Sequence, residues 1–179
     1  MILDKYSLYL SKVPSELFVD ASSVYGTTHA IRVLILVDKL SEEQKLDPLS
    51  KNVLHYGALY HDIAREKDLN DNLHGYKSFE KLQNTNFAFG KIAKENFEIL
   101  KFVIENHSLT DSQAKDNIRN YKLINKDLAI NLLNILKDAD ALDHCRFGHI
   151  DLDSLHFESS RKYVSFAYQL LTIFREKIL

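Results

Sequence analysis

The segment Tyr60-His61-Asp62-Ile63-Ala64-Arg65 follows an apolar run and places a histidine and an aspartate side by side. Such a dipeptide is common, and alone it indicates nothing. Its meaning depends on other polar residues that occupy apolar helical patterns along the chain. These are His29 before the segment, and His74, His107 and Asp140 after it.

The composition is that of a globular protein in a single domain, residues 1–179. Apolar residues make up 45% of the 179 positions and charged residues 27%, which is the usual balance for a soluble chain long enough to bury a core. Five glycines and two prolines favour helices over a turn-rich β fold. The net charge of -2 argues against binding to a nucleic-acid duplex, which needs a basic surface.

Cys145 is the only cysteine, so the chain forms no intramolecular disulfide and no multi-cysteine zinc site. Residues 1–5 carry charge where a signal peptide needs an apolar stretch. No apolar run approaches the ~20 residues that span a bilayer. We therefore expect a cytoplasmic protein without a membrane partner.

Apolar spacing and capping residues predict a series of helices. Two polar stretches, Lys67 to Leu73 and Thr110 to Asn120, are expected to be exposed loops that could act as lids. The last helix has a wide apolar surface, which fits deep packing or a homodimer. The predicted helices run from Thr27 or Thr28 to about Leu40, from Asp47-Pro48 to about Arg65, from near His74 through Leu82, from about Lys91 to Asn106, from near Asn125 through the acidic cluster 138–143, and from about Ser160 to Ile178.

The same spacing separates two neighbouring aspartates. Asp140 lies seven residues after Leu133 and four after Leu136. Asp138 lies seven residues after Asn131 and four after Asn134. Helical periodicity therefore predicts that Asp140 faces the core and Asp138 faces solvent. Asp143, three residues after Asp140, is expected either to support a ligand or to form a pair on the helix surface.

A buried histidine is more often a hydrogen-bonded core residue than a metal ligand. A buried carboxylate differs, because an unpaired charge there costs several kcal/mol. Asp62 and Asp140 on inward faces, beside inward histidines, therefore indicate a cation. Imidazole and carboxylate ligands suit Fe, Mn, Co, Ni or Zn, with Mg less favoured. Adjacent helical residues point in different directions, so His61 and Asp62 can share one ion only near a helix end.

The order of these residues along the chain resembles that in the HD-domain metal-dependent phosphohydrolases: His29, His61-Asp62, His74, His107 and Asp140. Together with His74-Gly75 and the segment from Asp138 to Gly148, it resembles in particular small stand-alone bacterial HD-domain proteins. The resemblance runs from about Gly26 to about Arg161. It implies an all-α domain with a buried metal site holding one or two divalent ions. The ligands it implies for the first ion are His29, His61, Asp62 and Asp140; those for a second are His74 and His107, with Asp62 as the bridge.

The implied activity is hydrolysis of a phosphate ester or anhydride, as a phosphomonoesterase or phosphodiesterase, on a nucleotide or other small phosphorylated metabolite. Asp62, His74 and His107 are the implied catalytic residues; in a site with one ion, the two histidines would bind phosphate or move protons. Arg65, Arg146 and Lys77 are candidates for phosphate binding. For each arginine a surface salt bridge is an equal alternative, and for Lys77 an ordinary helix position is the plainer interpretation.

Three other functions remain open at this level. The order of the motifs is also similar to that of the symmetric diadenosine tetraphosphate hydrolases, but the segment from Asp140 to Asp143 differs from that family. A di-iron HD-type oxygenase could use the same ligands. The third alternative is a metal-stabilised nucleotide-binding module that has the same fold but no catalytic activity. The remaining histidines, which show no characteristic spacing, are expected to have no ligand role: His55, His144, His149 and His156.

Overall fold

The computed structural model describes residues 13–66, 71–85, 92 and 94–178. Within these ranges the chain forms α-helices and short 3-10 turns and no β-strand, so the prediction of an all-α fold is confirmed. The α-helices are α1 (Thr27–Glu43), α2 (Pro48–Tyr60), α3 (His74–Gln83), α4 (Lys94–Asn106), α5 (Asp111–Asn117), α6 (Lys126–Asp143) and α7 (Val164–Ile178).

Helix α1 lies at the centre of the fold. It packs against α2, α6 and α7, while α4 contacts α2, α3 and α6. Residues 29–37 of α1 are all buried, so this helix is covered all round, as expected for a central helix. Its polar residues are therefore enclosed by the other helices.

The start of α1 differs from the prediction that Thr27 or Thr28 is the N-cap. Gly26 is the N-cap, without a side-chain hydrogen bond to the helix, and Thr27 Oγ1 instead donates to the carbonyl of Ala21 at 3.2 Å. A Cβ on Gly26 would lie 2.1 Å from the Ala21 oxygen. The preceding turn therefore crosses the helix start so closely that only glycine fits.

Helix α2 begins as predicted. The Asp47 side chain accepts hydrogen bonds from the backbone N–H groups of Leu49 and Ser50, and Pro48 takes the first helical position, where its missing N–H costs nothing. The predicted end at Arg65 is wrong, because α2 ends at Tyr60 and a turn covers residues 61–64. His61 and Asp62 therefore leave the helix, which removes the geometric objection to their meeting.

The predicted loop from Thr110 to Asn120 is also wrong. Thr110 caps α5 in a reciprocal capping box with Gln113, and a 3-10 turn follows at Ile118–Asn120. Asn117 then ties α5 to the fold through hydrogen bonds to Tyr76 and Asn106. The sequence held the signal for this helix in its Thr-x-x-Gln spacing.

The predictions for α3, for the end of α4 at Asn106 and for the start of α6 after Asn125 are confirmed. The predicted last helix is divided into a 3-10 segment, Glu158–Tyr163, and α7. Much of the predicted loop from 67 to 73, and the connection from 86 to 91, lie outside the described residues. No helix in the described part is long and apolar enough to cross a membrane.

Candidate metal centre

Three of the four predicted histidines lie at helix ends. Their Nδ1 atoms are oriented by backbone carbonyls three residues earlier, groups that are left without helical partners at a helix C-terminus or in a turn. Each Nδ1 must donate to its carbonyl, which leaves the Nε2 lone pair free. The bonds are His61 to Ala58 (2.9 Å), His107 to Ile104 (2.7 Å) and His74 to Asp71.

His29, in the first turn of α1, is held by a carboxylate instead. Its Nδ1 donates to Asp143 Oδ2 at 2.7 Å. Asp143 is buried and also accepts hydrogen bonds from Arg32 (2.7 and 2.9 Å) and Arg146 (3.1 Å). Of the two roles that the sequence left open for Asp143, the structure thus shows support of a candidate ligand.

The four Nε2 atoms converge in two pairs. The distance is 3.2 Å between His29 and His61, and 3.0 Å between His74 and His107. Because every Nδ1 donates its proton away from the group, each of these contacts brings two Nε2 lone pairs together. The two lone pairs repel each other unless a cation lies between them. Two nitrogens bound to one metal at ~2.1 Å would be about 3.0 Å apart at the roughly 90° angles of octahedral coordination and about 3.4 Å apart in a tetrahedral site. The observed spacing fits metal coordination.

Asp62 lies between the two pairs. Its Oδ2 is 3.6 Å from His29 Nε2 and 3.7 Å from His61 Nε2, whereas its Oδ1 is 3.1 Å from His74 Nε2 and 3.3 Å from His107 Nε2. One carboxylate oxygen therefore faces each pair. Asp62 could therefore be shared between two ions if both pairs bound metal.

Asp140 completes the first group. Its Oδ1 lies 3.4 Å from His29 Nε2 and is buried without a hydrogen-bond partner. A buried acceptor without a donor is costly, and a cation would remove that cost. Ligand atoms lie within 4.8 Å of one another in two overlapping groups: His29, His61 and Asp140, and His61, Asp62 and His107.

The protonation states of His61 and Asp62 also favour a cation. Burial lowers the pKa of His61 to about 3, with further lowering by His107 and His29, so the ring stays neutral. Burial raises the pKa of Asp62, but the neighbouring imidazoles of His61, His107, His29 and His74 bring it well below its usual value, so the carboxyl group stays ionised. Burial and Arg146 lower the pKa of His29, but its hydrogen bond with Asp143 and the nearby carboxylate of Asp62 outweigh them and raise it.

The prediction that Asp138 faces solvent is wrong. Its side chain is fully buried and accepts four hydrogen bonds, from the backbone N–H groups of His156 and Phe157, from His156 Nδ1 and from Ser160 Oγ. The face of α6 that carries Asp138 is covered by the segment 155–160, which helical periodicity within α6 does not reveal.

The structure separates the three candidates for phosphate binding. Arg65 Nη1 donates to Asp62 Oδ2 at 3.1 Å, and its guanidinium stacks over the ring of Tyr25 at 3.7 Å. Arg146 is held by Asp143 at 3.1 Å. Lys77 is exposed and pairs with Asp71. Only Arg65 therefore contacts one of the predicted metal ligands.

Gly75 explains how His74 reaches its partner. A Cβ on Gly75 would lie 2.5 Å from the carbonyl oxygen of Ile104 and 3.1 Å from His107 Nδ1. The start of α3 therefore presses against the end of α4 as closely as the backbone allows. This contact brings the Nε2 atoms of His74 and His107 together.

A cavity of about 510 Å³ opens beside this group of residues, within the range of small-molecule sites. Asp140 and His107 line it together with Lys137, His144 and His156. Sequence reasoning missed Lys137, and it assigned no role to His144 or His156. Their only sequence signal was proximity to the acidic cluster, because the cavity forms between segments distant in the chain.

The model of the HD domain family matches residues 26–145, which is more than half of the chain. The chain therefore belongs to the HD domain family. No curated protein and no solved structure matches the chain. Members of this family bind divalent metals and belong mostly to the metal-dependent hydrolases, in agreement with the residues assembled here.

Proposed function

We propose that this HD domain protein is a metal-dependent phosphohydrolase that cleaves a phosphate ester or anhydride in a small phosphorylated molecule, such as a nucleotide. The observation that supports this most strongly is the convergence of four Nε2 atoms on the two oxygens of Asp62. Every other nitrogen of these rings is already engaged in a hydrogen bond. The group is therefore oriented toward a common centre.

In this proposal His29, His61, Asp62 and Asp140 hold one divalent ion, and Asp62, His74 and His107 hold a second. The residues are compatible with Fe, Mn, Co, Ni or Zn, and less so with Mg. Such ions supply a water of lowered pKa and polarise a phosphoryl oxygen.

The chain itself supplies orientation and charge. The carbonyls of residues 58, 71 and 104, with the carboxylate of Asp143, fix the histidine tautomers, which preserves ligand geometry. Arg65, whose guanidinium stacks on Tyr25, is the residue we propose for binding a phosphoryl oxygen, because a guanidinium keeps free donors after pairing with one carboxylate. The cavity bounded by Asp140 and His107 would hold the rest of the substrate.

The test is the metal content of protein purified without chelator, measured with phosphate release from p-nitrophenyl phosphate, bis-p-nitrophenyl phosphate and nucleotides. Asp140→Ala is compared with Asp153→Ala, an exposed carboxylate in the wall of the same cavity. We expect about two ions per chain in the wild type and in Asp153→Ala, and a clear loss of metal and activity in Asp140→Ala.

Three outcomes would change the proposal. One ion per chain would remove His74 and His107 from the ligand set and leave them as phosphate-binding or proton-transfer residues. Oxygen uptake with reduced iron, without phosphate release, would identify an oxygenase. No metal in any variant, even after reconstitution with Mn or Fe, would contradict the proposal.

A further inference from the structure

A second cavity, of about 290 Å³, lies between the turn before α1, α1 itself and α7. It shares no lining residue with the cavity beside Asp140. Its apolar wall comes from Val24, Leu171 and Phe174. Its polar wall consists of three arginines and three hydroxyl residues: Arg32, Arg146, Arg175, Ser22, Ser23 and Thr28.

The charge of this cavity is one-sided. Among the described residues that line it there is no carboxylate. Asp143, which lies behind the wall, is the carboxylate that pairs with both Arg32 and Arg146, and it also accepts the hydrogen bond from His29. Three guanidinium groups therefore border this space, and Asp143 pairs with two of them, Arg32 and Arg146.

Two of the three guanidinium nitrogens of Arg146 lack a hydrogen-bond acceptor, while Nη1 donates to Asp143. The Arg146 side chain is 4% exposed, and its Nε and Nη2 atoms are buried without a partner. The rings of Phe147 and Tyr25 lie 4.4 and 5.5 Å from its guanidinium carbon, which supplies cation–π attraction but no acceptor. Buried donors left without partners cost free energy, and an anionic ligand beside them would recover part of it.

We propose that this second cavity binds a phosphoryl group, as free phosphate or pyrophosphate or as part of a larger molecule. Arginine side chains are suited to a tetrahedral oxyanion, because each can donate parallel hydrogen bonds to two of its oxygens. The volume accommodates pyrophosphate with its water. The site depends on the arginines and not on a metal ion, so it stands independently of the proposed hydrolase activity.

The test is isothermal titration of inorganic pyrophosphate, and separately phosphate, into chelator-treated protein at constant ionic strength. Chelation removes any contribution of metal-bound phosphate at the candidate metal centre. Arg175→Ala and Arg175→Gln are compared with Arg119→Ala, because Arg119 is also exposed but lies in the turn after α5. Far-UV circular dichroism establishes that the variants are folded.

We expect the wild type and Arg119→Ala to bind pyrophosphate with the same Kd, and both Arg175 variants to bind it about tenfold more weakly, as the loss of a charge-assisted hydrogen bond predicts. Equal affinity in all four proteins would place the anion elsewhere and overturn the proposal. The absence of binding to the wild type at millimolar pyrophosphate would overturn it as well. Neither outcome bears on metal content, so failure here is distinguishable from failure of the proposed hydrolase.

Discussion

Asp138 and Asp140 lie two residues apart on α6, yet the structure places them in opposite situations. Asp138 is fully buried and receives four hydrogen bonds at 2.6 to 3.1 Å. Asp140 presents a buried Oδ1 that receives none and faces His29 Nε2 at 3.4 Å. The first carboxylate is surrounded by donors, whereas the buried oxygen of the second has no donor.

The difference shows that burial does not by itself distinguish a structural carboxylate from a metal ligand. What distinguishes them is whether the protein supplies the hydrogen-bond donors that a buried anion needs. Asp138 is fully satisfied by the segment 155–160, which it fixes to α6. Asp62 receives one hydrogen bond, from Arg65, and Asp140 Oδ1 receives none; both carboxylates face imidazole nitrogens of rings that already donate elsewhere.

The largest effect is expected for Asp62→Asn, which would break the candidate metal centre at the residue that faces all four histidines. We expect loss of bound metal and a fall in phosphate release on the order of a thousandfold. A ligand that binds only the folded state raises its stability. Added Mn²⁺ should therefore raise the Tm of the wild type and leave that of Asp62→Asn unchanged. An equal rise in both proteins would contradict the proposed role of Asp62.

Asp138→Ala is expected to reduce the stability of the fold, because it leaves four hydrogen-bond donors without their acceptor. We expect a loss of about 3 kcal/mol in the free energy of unfolding, measured by urea denaturation in chelator, with metal content unchanged. Asp153→Ala, at an exposed position, serves as the control with little change. Loss of metal without loss of stability would instead make Asp138 a ligand and reverse the comparison.

The smallest effect is expected for His156→Gln and depends on pH. The hydrogen bond to Asp138 raises the pKa of His156 above 6.5, burial opposes this, and the bond to Asp111 raises it again. Because the folded pKa is the higher one, the stabilisation is fully present below about pH 6.5 and is lost as pH rises through the folded value. The difference in unfolding free energy between wild type and variant should therefore be larger at pH 6 than at pH 9.

If the difference in unfolding free energy between wild type and variant did not depend on pH, the charge of His156 would not contribute to its interaction with Asp138. His156 is partly exposed, so solvent screening reduces the effect. Gln is the appropriate replacement because its side-chain amide can still donate one hydrogen bond to Asp138, which isolates the contribution of charge.

Much of the fold was predictable because its signals are local. The Asp47-Pro48 pair starts α2, and Asn125 caps α6 through the N–H of Leu128. Thr110 and Gln113 offered an equally local signal for α5, which the polar composition of the segment obscured. The end of α2 was not predictable in this way, because the apolar pattern continues through Ile63 although the helix stops at Tyr60.

The sequence by itself determined the helical class and the order of histidines and aspartates, because capping and helical periodicity act over a few residues. Only the tertiary structure decided how these side chains are used. It brought Asp143 to His29 across 114 positions and covered Asp138 with donors 18 to 22 residues away. It also placed Arg146 in the wall of a second cavity. The physical reason is that the free energy of a buried charge depends on the donors and acceptors around it, and packing brings these from distant parts of the chain.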